Sequence, residues 1–465
     1  MIALPSPLSV SPVRPEHAEL LARHGARATP RYTSYPTAPH FEPGFSATDY
    51  AAWLAELDPE APISLYLHVP YCREMCWYCA CNMRLASDYD PIGRYVESLL
   101  EEVELLAAAL PARMRISHLH WGGGTPTALS PADLTRVMER VRARFIVDDD
   151  AELAIESDPR TLEDAMISTI GALGFTRASF GVQEFDPVVQ QAINRIQPPE
   201  QVARVVEGLR RAGVGAINFD LIYGLPHQSV ATLTRTIELC REMRPDRIAL
   251  FGYAHVPWKA SRQRLIHEDA LPGPRERAEQ AGRAGELLLE QGYVPIGLDH
   301  YALPEDSLAR ADADGSLRRN FQGYTTDQAE TLLGVGTTAI GRTPRGFFQN
   351  LPGVRDWSTA IAEGRLPVSR SRAFRGDDRL RGEVIEQIMC RGRVDCAAVG
   401  RHHGAPEGWA ADSLAALEPL VTDGIVRIRG DRLELAHWAQ PLARVVAAAF
   451  DSYLSNGPGR HAVSV

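Results

Sequence analysis

From residue 63 onward the chain alternates between two kinds of apolar patterning. Short runs rich in β-branched and aromatic residues fall at 63–69, 118–121, 152–156, 177–182, 216–222 and 247–253. Between them lie longer stretches whose apolar side chains return every three or four residues, at 92–109, 131–145, 161–173, 199–212, 230–243 and 274–291. The short runs predict buried strands, and the longer ones predict helices with one apolar stripe. A further run at 293–298 closes the series. Strands alternating with helices imply βαβ units and a parallel sheet. Six units fit either an open doubly wound sheet or a partial barrel. No G-x-G-x-x-G follows the first run and no P-loop occurs, so the nucleotide-binding open sheets lose ground. The pattern predicts an α/β fold, a partial (βα)6 barrel.

The two ends read differently. Residues 1–45 are rich in Pro, Arg, His and Tyr, with no sustained period beyond a candidate helix at 15–24, and are expected to form an arm adding little to a core. After about residue 345 the pattern changes to helices at 377–388 and 409–421, a hairpin of 424–428 and 432–436 across Arg429-Gly430-Asp431, and a last helix at 441–454. The expected organisation is an N-terminal arm over 1–45, the barrel over 46–345, and a mainly helical, winged-helix-like domain over 346–465. Beyond the polar last ten residues no low-complexity segment is visible.

Composition narrows the function classes. Of 465 residues, 45% are hydrophobic and 23% charged, which fits a soluble globular chain too long for one ordinary core. Lysine and arginine number 49 against 59 aspartate and glutamate, a net charge of −10. That balance disfavours non-specific nucleic-acid binding, so the winged-helix-like end is expected to be structural or a lid. No apolar run approaches the roughly 20 residues of a membrane span. Glu16, His17, Arg23 and His24 interrupt any leader-like stretch in the first thirty residues, so a cytoplasmic protein is expected, with a monomer as the default since the sequence does not fix oligomeric state.

Four of the seven cysteines, Cys72, Cys76, Cys79 and Cys81, fall within ten residues, directly after the first predicted strand. In a reducing compartment such a cluster points to metal or redox chemistry rather than disulfides. Zinc usually takes two separated pairs of ligands, and no second C-x-x-C or H-x-x-x-H partner follows here. Three close thiolates can instead hold three irons of a 4Fe-4S cluster and leave the fourth open. Cys81 could ligate, act in a later step or fill space. Cys240, Cys390 and Cys396 read as ordinary buried cysteines.

The C-x3-C-x2-C spacing, with Tyr78 before the last cysteine, resembles the radical S-adenosylmethionine (SAM) enzymes. That resemblance implies a cluster whose open iron chelates SAM, and reductive cleavage of SAM to a 5′-deoxyadenosyl radical. Other residues fall where such a barrel needs them. Gly122-Gly123-Gly124-Thr125-Pro126 ends the second strand, where glycines admit a ligand close to backbone. Glu156 ends the third, suited to an ammonium group. Gln183 ends the fourth and Asp220 the fifth, suited to ribose hydroxyls or an ammonium. Arg195 suits a carboxylate, and Ala254 follows the sixth strand.

The likeness narrows further. Arg31-Tyr32-Thr33-Ser34-Tyr35-Pro36-Thr37-Ala38, Cys81-Asn82, Phe180-Gly181-Val182-Gln183, Asp220-Leu221-Ile222-Tyr223-Gly224-Leu225-Pro226 and Arg319-Asn320-Phe321-Gln322-Gly323-Tyr324-Thr325-Thr326 together resemble the oxygen-independent coproporphyrinogen III oxidases. This resemblance implies conversion of the ring A and B propionates of coproporphyrinogen III to vinyl groups, giving protoporphyrinogen IX. It implies one 4Fe-4S cluster on Cys72, Cys76 and Cys79, and two SAM molecules. Tyr66, Gly123, Glu156, Ala254 and Ile340 would meet the cluster-bound SAM, and Gly124, Thr125, Gln183, Arg195 and Asp220 the second. Cys81 is expected to serve turnover. An electron donor and an electron acceptor are also implied. Met83 and Arg318 depart from the family pattern and put only substrate contacts in doubt. A tetracarboxylate needs cationic anchors, for which Arg27, Arg31 and Arg319 are candidates. Two rival readings are a radical SAM-like haem carrier and a zinc-stabilised winged-helix regulator. Carriers of that kind usually lack the fourth cysteine and the arm, and the regulator leaves the glycine run and Glu156 unexplained.

Overall fold

The computed structural model describes residues 15–454. Residues 1–14, part of the stretch read for a leader and of the arm, lie outside it, as do the polar last ten residues. Among the described residues no helix is long and apolar enough to cross a membrane.

All six short runs form strands: β1 (Ile63–Val69), β2 (Arg115–Gly123), β3 (Ile146–Ser157), β4 (Arg177–Gln183), β5 (Ala216–Tyr223) and β6 (Arg247–Gly252). They pair in that order and every neighbouring pair is parallel. The connecting helices are α1 (Asp90–Ala109), α2 (Pro131–Arg144), α3 (Asp164–Ala172), α4 (Pro199–Arg211) and α5 (Val230–Met243), with α6 (Pro274–Glu290) after β6. One hydrophobic core joins strands and helices, from Leu65, Leu67 and Trp121 to Phe180, Phe219 and Ile248. This is the expected (βα)6 arrangement.

The flanks of the sheet were not legible in the apolar pattern. The run at 293–298 does not add a parallel strand. It breaks at Gly297, whose φ of +58° suits glycine, into the hairpin β7 (Val294–Ile296) and β8 (His300–Ala302), antiparallel against β6. On the other edge β9 (Thr331–Val335) lies parallel to β1, followed by antiparallel β10 (Ile340–Thr343), β11 (Gly346–Asn350) and β12 (Val368–Ala373). The hydrogen-bonded sheet therefore continues past residue 345.

A second hydrophobic cluster gathers around α7 (Asp378–Arg391). It contains a three-stranded sheet of β13 (Arg393–Asp395), β14 (Val426–Arg429) and β15 (Arg432–Leu435), in the order β13-β15-β14. An unforeseen helix, Cys396–His402, follows β13. The helix expected at 409–421 is two pieces, Ala411–Ala415 and Glu418–Thr422, and the one expected at 441–454 is helical only over Ala443–Ala447, between tight 3₁₀ turns.

The arm is not a loose tail. Its helix, Pro15–Gly25, buries Leu21, and Tyr32 and Tyr35 are buried in the same cluster as α7 and β15. The Tyr32 hydroxyl donates to Asp451 at 3.0 Å, and the Tyr35 hydroxyl accepts from the Ser452 amide at 3.0 Å. Phe41 stacks on Phe347 at 5.8 Å, and Glu42–Pro43 pairs with β12 at the sheet edge. Isolated aromatics in a chain without period gave no signal of burial, because their partners lie some 400 residues away.

Candidate active site

The carboxyl ends of β1–β6 open on one side, the side where parallel barrels place their chemistry. The cysteine loop leaves β1 there and is tied down at several points. Trp77 N donates to the Ile193 carbonyl at 2.9 Å, and Asn194 Nδ2 to the Met75 carbonyl at 2.7 Å. Gln263, fully buried, donates to the carbonyls of both Tyr78 (2.7 Å) and Ala254 (3.2 Å), so the segment after β6 is fastened to the loop. Arg262 Nη2 reaches the Cys81 carbonyl at 3.2 Å.

The thiols are all free, and cations face them. Arg195 Nη1 and Arg160 Nη2 lie 3.2 and 3.3 Å from Cys76 Sγ. Both arginines also pair with the buried Asp158. Burial opposes ionisation of Asp158, yet Arg195 and then Arg160 outweigh it and hold its pKa down at about 2. Thr125 Oγ1 donates to Cys72 Sγ at 3.4 Å, and Cys81 N to Cys79 Sγ at 3.4 Å. Hydrogen bonding from the Cys81 side chain, with its backbone amide adding to it, depresses the Cys79 thiol to about 6 against the effect of burial, whereas burial pushes Cys72 up to about 11.

The glycine run lies against this loop. Gly124 N donates to the Val69 carbonyl, and a Cβ there would stand 2.8 Å from the Tyr71 carbonyl oxygen. Gly123 has φ +117°, and its Cβ would meet the His68 ring at 2.7 Å. A Cβ on Gly122 would lie 3.0 Å from the Glu156 carboxylate. Glu156 accepts from Gly123 N and meets His120 Nε2, both at 3.2 Å. The His120 ring stacks on Tyr66, whose hydroxyl meets His68 Nδ1 at 2.9 Å. His68 is reached in turn by Thr338 Oγ1, two residues before Ile340, at 3.5 Å. Tyr66, Gly123, Glu156 and the Ile340 segment thus meet around the end of β1.

Toward β4 and β5 the mouth is acidic. Gln183 sits in the left-handed region at φ +66°, and its Oε1 is buried without a hydrogen-bond partner among the described residues. Burial first, and Glu156 second, raise Asp220 to about 7. Arg195 does not point to open space: it holds Asp158, Cys76 and the Gly181 carbonyl at 2.5 Å. Sequence reasoning missed Asp158, Arg160, His68, His120 and Gln263. Asp158 and Arg160 lay just beyond Glu156 at a predicted strand end, a signal that could have found them. Gln263 had none.

These residues fit an iron–sulfur cluster with SAM. Three free thiols with two buried cations suit an anionic cluster. A glycine cradle that any Cβ would fill, two carboxylates and an orphaned amide oxygen suit a ligand with an ammonium group and hydroxyls.

Residues 66–240 match the profile of the Radical SAM superfamily. The chain is 48% identical over 448 residues to an oxygen-independent coproporphyrinogen III oxidase of Bradyrhizobium diazoefficiens, covering 96% of this chain and all of the relative. It is 37% identical to one from Escherichia coli, over 91% of this chain and 93% of the relative. The solved structure of coproporphyrinogen III oxidase from Escherichia coli, described as a radical SAM enzyme, superposes with a TM-score of 0.88 at 36% identity, covering 91% of this chain and 98% of that one. Near-complete coverage at this identity shows that the chain belongs to the oxygen-independent coproporphyrinogen III oxidases, within the radical SAM superfamily.

Proposed function

We propose that this chain decarboxylates the ring A and ring B propionates of coproporphyrinogen III oxidatively to vinyl groups, giving protoporphyrinogen IX in haem biosynthesis. The observation that carries the reading is full-length kinship with the oxidases, reaching both the arm and the C-terminal domain. In this reading Cys72, Cys76 and Cys79 hold a 4Fe-4S cluster. Tyr66, Gly123, Glu156, Ala254 and Ile340 contact the SAM bound to it. Gly124, Thr125, Gln183, Arg195 and Asp220 line a second SAM. When bound, cluster and SAM supply abstraction of a hydrogen atom from the propionate carbon next to the pyrrole. Loss of that hydrogen, of CO2 and of one electron turns –CH2–CH2–COO⁻ into –CH=CH2, and the electron leaves to an acceptor.

The chain's own residues aim and shield. Arg160 and Arg195 keep positive charge at Cys76, and Asp158 fixes both guanidinium groups. Glu156 is held by Gly123 N and His120, ready to accept from an ammonium. Holding the reacting carbon near its hydrogen acceptor is the main contribution to rate. Arm and C-terminal domain, packed as one cluster, help exclude water and oxygen. The protein acts as a monomer in the cytoplasm, supplied by a one-electron donor.

The test is an anaerobic incubation of cluster-loaded protein with reductant, SAM and coproporphyrinogen III, followed by chromatography. The expected result is protoporphyrinogen IX with two methionines formed per product. Absence of vinyl product overturns the activity, and product without methionine overturns SAM as a consumed reagent.

A further inference from the structure

Three arginines from distant parts of the chain gather beside β5 and β6. Arg31 belongs to the arm, Arg319 to the short strand Arg318–Asn320, and Arg444 to the helix Ala443–Ala447. Arg319 Nη2 donates to the Arg31 carbonyl at 3.4 Å, and the guanidinium lies 4.4 Å from the centre of the Tyr324 ring. Its Nε and Nη1 are buried with no hydrogen-bond partner among the described residues. Burial, and then Arg31, lower Arg444 to about 10, with Arg319 adding to the effect. An acid facing the group is Asp299, which His300 already meets at 2.7 Å, and Glu386 accepts from the Arg319 amide at 3.0 Å. The unmet donors of Arg319 thus stand beside a carboxylate that His300 already engages. Buried donors without partners are costly to the fold, so they point to a ligand.

The position is informative. Asp220 pairs with Ala249, and Ala249 pairs with His300, so one row across β5, β6 and β8 links the proposed SAM pocket to Asp299. Adjacent strands lie roughly 4.8 Å apart, which places His300 about 10 Å from Asp220 along the row. That span is within the width of a tetrapyrrole. A substrate with four propionates presents one to the reacting centre and keeps others ionised throughout.

We propose that Arg319, flanked by Arg31 and Arg444, forms a carboxylate-binding subsite that anchors propionates of the tetrapyrrole not undergoing decarboxylation. The inference rests on the proposed function. It makes Arg31 and Arg319, from the candidate anchors, two parts of one subsite and adds Arg444, which carried no sequence signal.

The test uses cluster-loaded protein with Arg31→Gln, Arg319→Lys, Arg319→Gln and the Arg31→Gln/Arg319→Gln double change. The readouts are KM and kcat for coproporphyrinogen III, equilibrium binding of coproporphyrin III as probe, iron content and SAM binding. The double change is expected to weaken coproporphyrin III binding and raise KM roughly tenfold or more, with iron and SAM binding as in the parent. Arg319→Lys keeps charge and is expected to recover part of the loss. If Arg319→Gln does not fold, Arg31→Gln, whose side chain is exposed, and Arg319→Lys decide the matter with a severalfold rise in KM expected. Parental KM and probe affinity in the folded variants overturn the subsite alone, while a parent that converts no coproporphyrinogen III overturns the activity and the subsite together.

Discussion

Cys76 sits between two guanidinium groups that share one carboxylate, and this small arrangement ties the metal-binding loop to the barrel wall. Replacing Cys72, Cys76 or Cys79 by Ala is expected to abolish the cluster, since a three-thiolate site has no spare ligand. Iron analysis and visible absorption check this, and a full iron complement in Cys76→Ala would sink the assignment. Cys81→Ala is expected to retain iron, because Cys81 stands outside the C-x3-C-x2-C set of three thiols. Asp158→Asn should leave Arg195 buried without its counter-charge, while Arg160 keeps Glu74 at 2.6 Å, at a cost of about 3–5 kcal/mol. Thermal unfolding of the apoprotein would record the fall, and an unchanged Tm would show that solvent or other groups take over the charge.

At the scale of elements, α1 is the clamp behind the site. Tyr95 of α1 donates to the His68 carbonyl at 2.7 Å and accepts from Thr337 N at 3.1 Å. Glu102, buried about two turns further on, accepts from Gly336 N, Trp357 Nε1 and Asn350 Nδ2. Burial pushes Glu102 up to about 8 from an ordinary value of 4.5, and these donors only partly offset it. The folded protein therefore holds the proton more tightly than the unfolded chain. Its contribution to stability is complete below about pH 4.5 and is lost as pH rises through about 8. Glu102→Gln removes the titration while leaving an oxygen for Gly336 and Trp357. The variant is expected to show a flatter decline of Tm between pH 5 and 8 than the parent, and identical slopes would refute the role of Glu102.

Over the whole molecule the arm and the C-terminal domain stand or fall together. Leu21, Tyr32 and Tyr35 belong to the cluster of α7 and β15, whereas among the described residues the main barrel core holds no buried residue before Tyr50. Removing residues 1–38 is therefore expected to leave the barrel folded but to loosen the C-terminal domain. This differs from the expectation, drawn from the arm's lack of apolar period, that it adds little to a core. Limited proteolysis should cut the truncated chain after about residue 375, and resistance equal to the parent would contradict the packing. Tyr32→Ala removes a buried aromatic and is expected to cost about 3–5 kcal/mol in that domain, measured by denaturant unfolding.

The sequence by itself determined the barrel and the reacting loop. Its parallel strands are short runs rich in β-branched and aromatic residues, each followed by a stretch of helical period, and the cysteine spacing, the glycine run and the strand-end polar residues are local patterns. Tertiary structure decided what depends on contacts far apart in the chain. The β9–β12 extension consists of short strands whose pairing is set by neighbours, and the burial of Tyr32 and Tyr35 depends on Asp451 and Ser452. The meeting of Arg160 and Arg195 at Cys76, and of Arg31, Arg319 and Arg444 around Asp299, has the same origin. A single charged residue carries no period and no spacing, so only the fold shows which charge it faces.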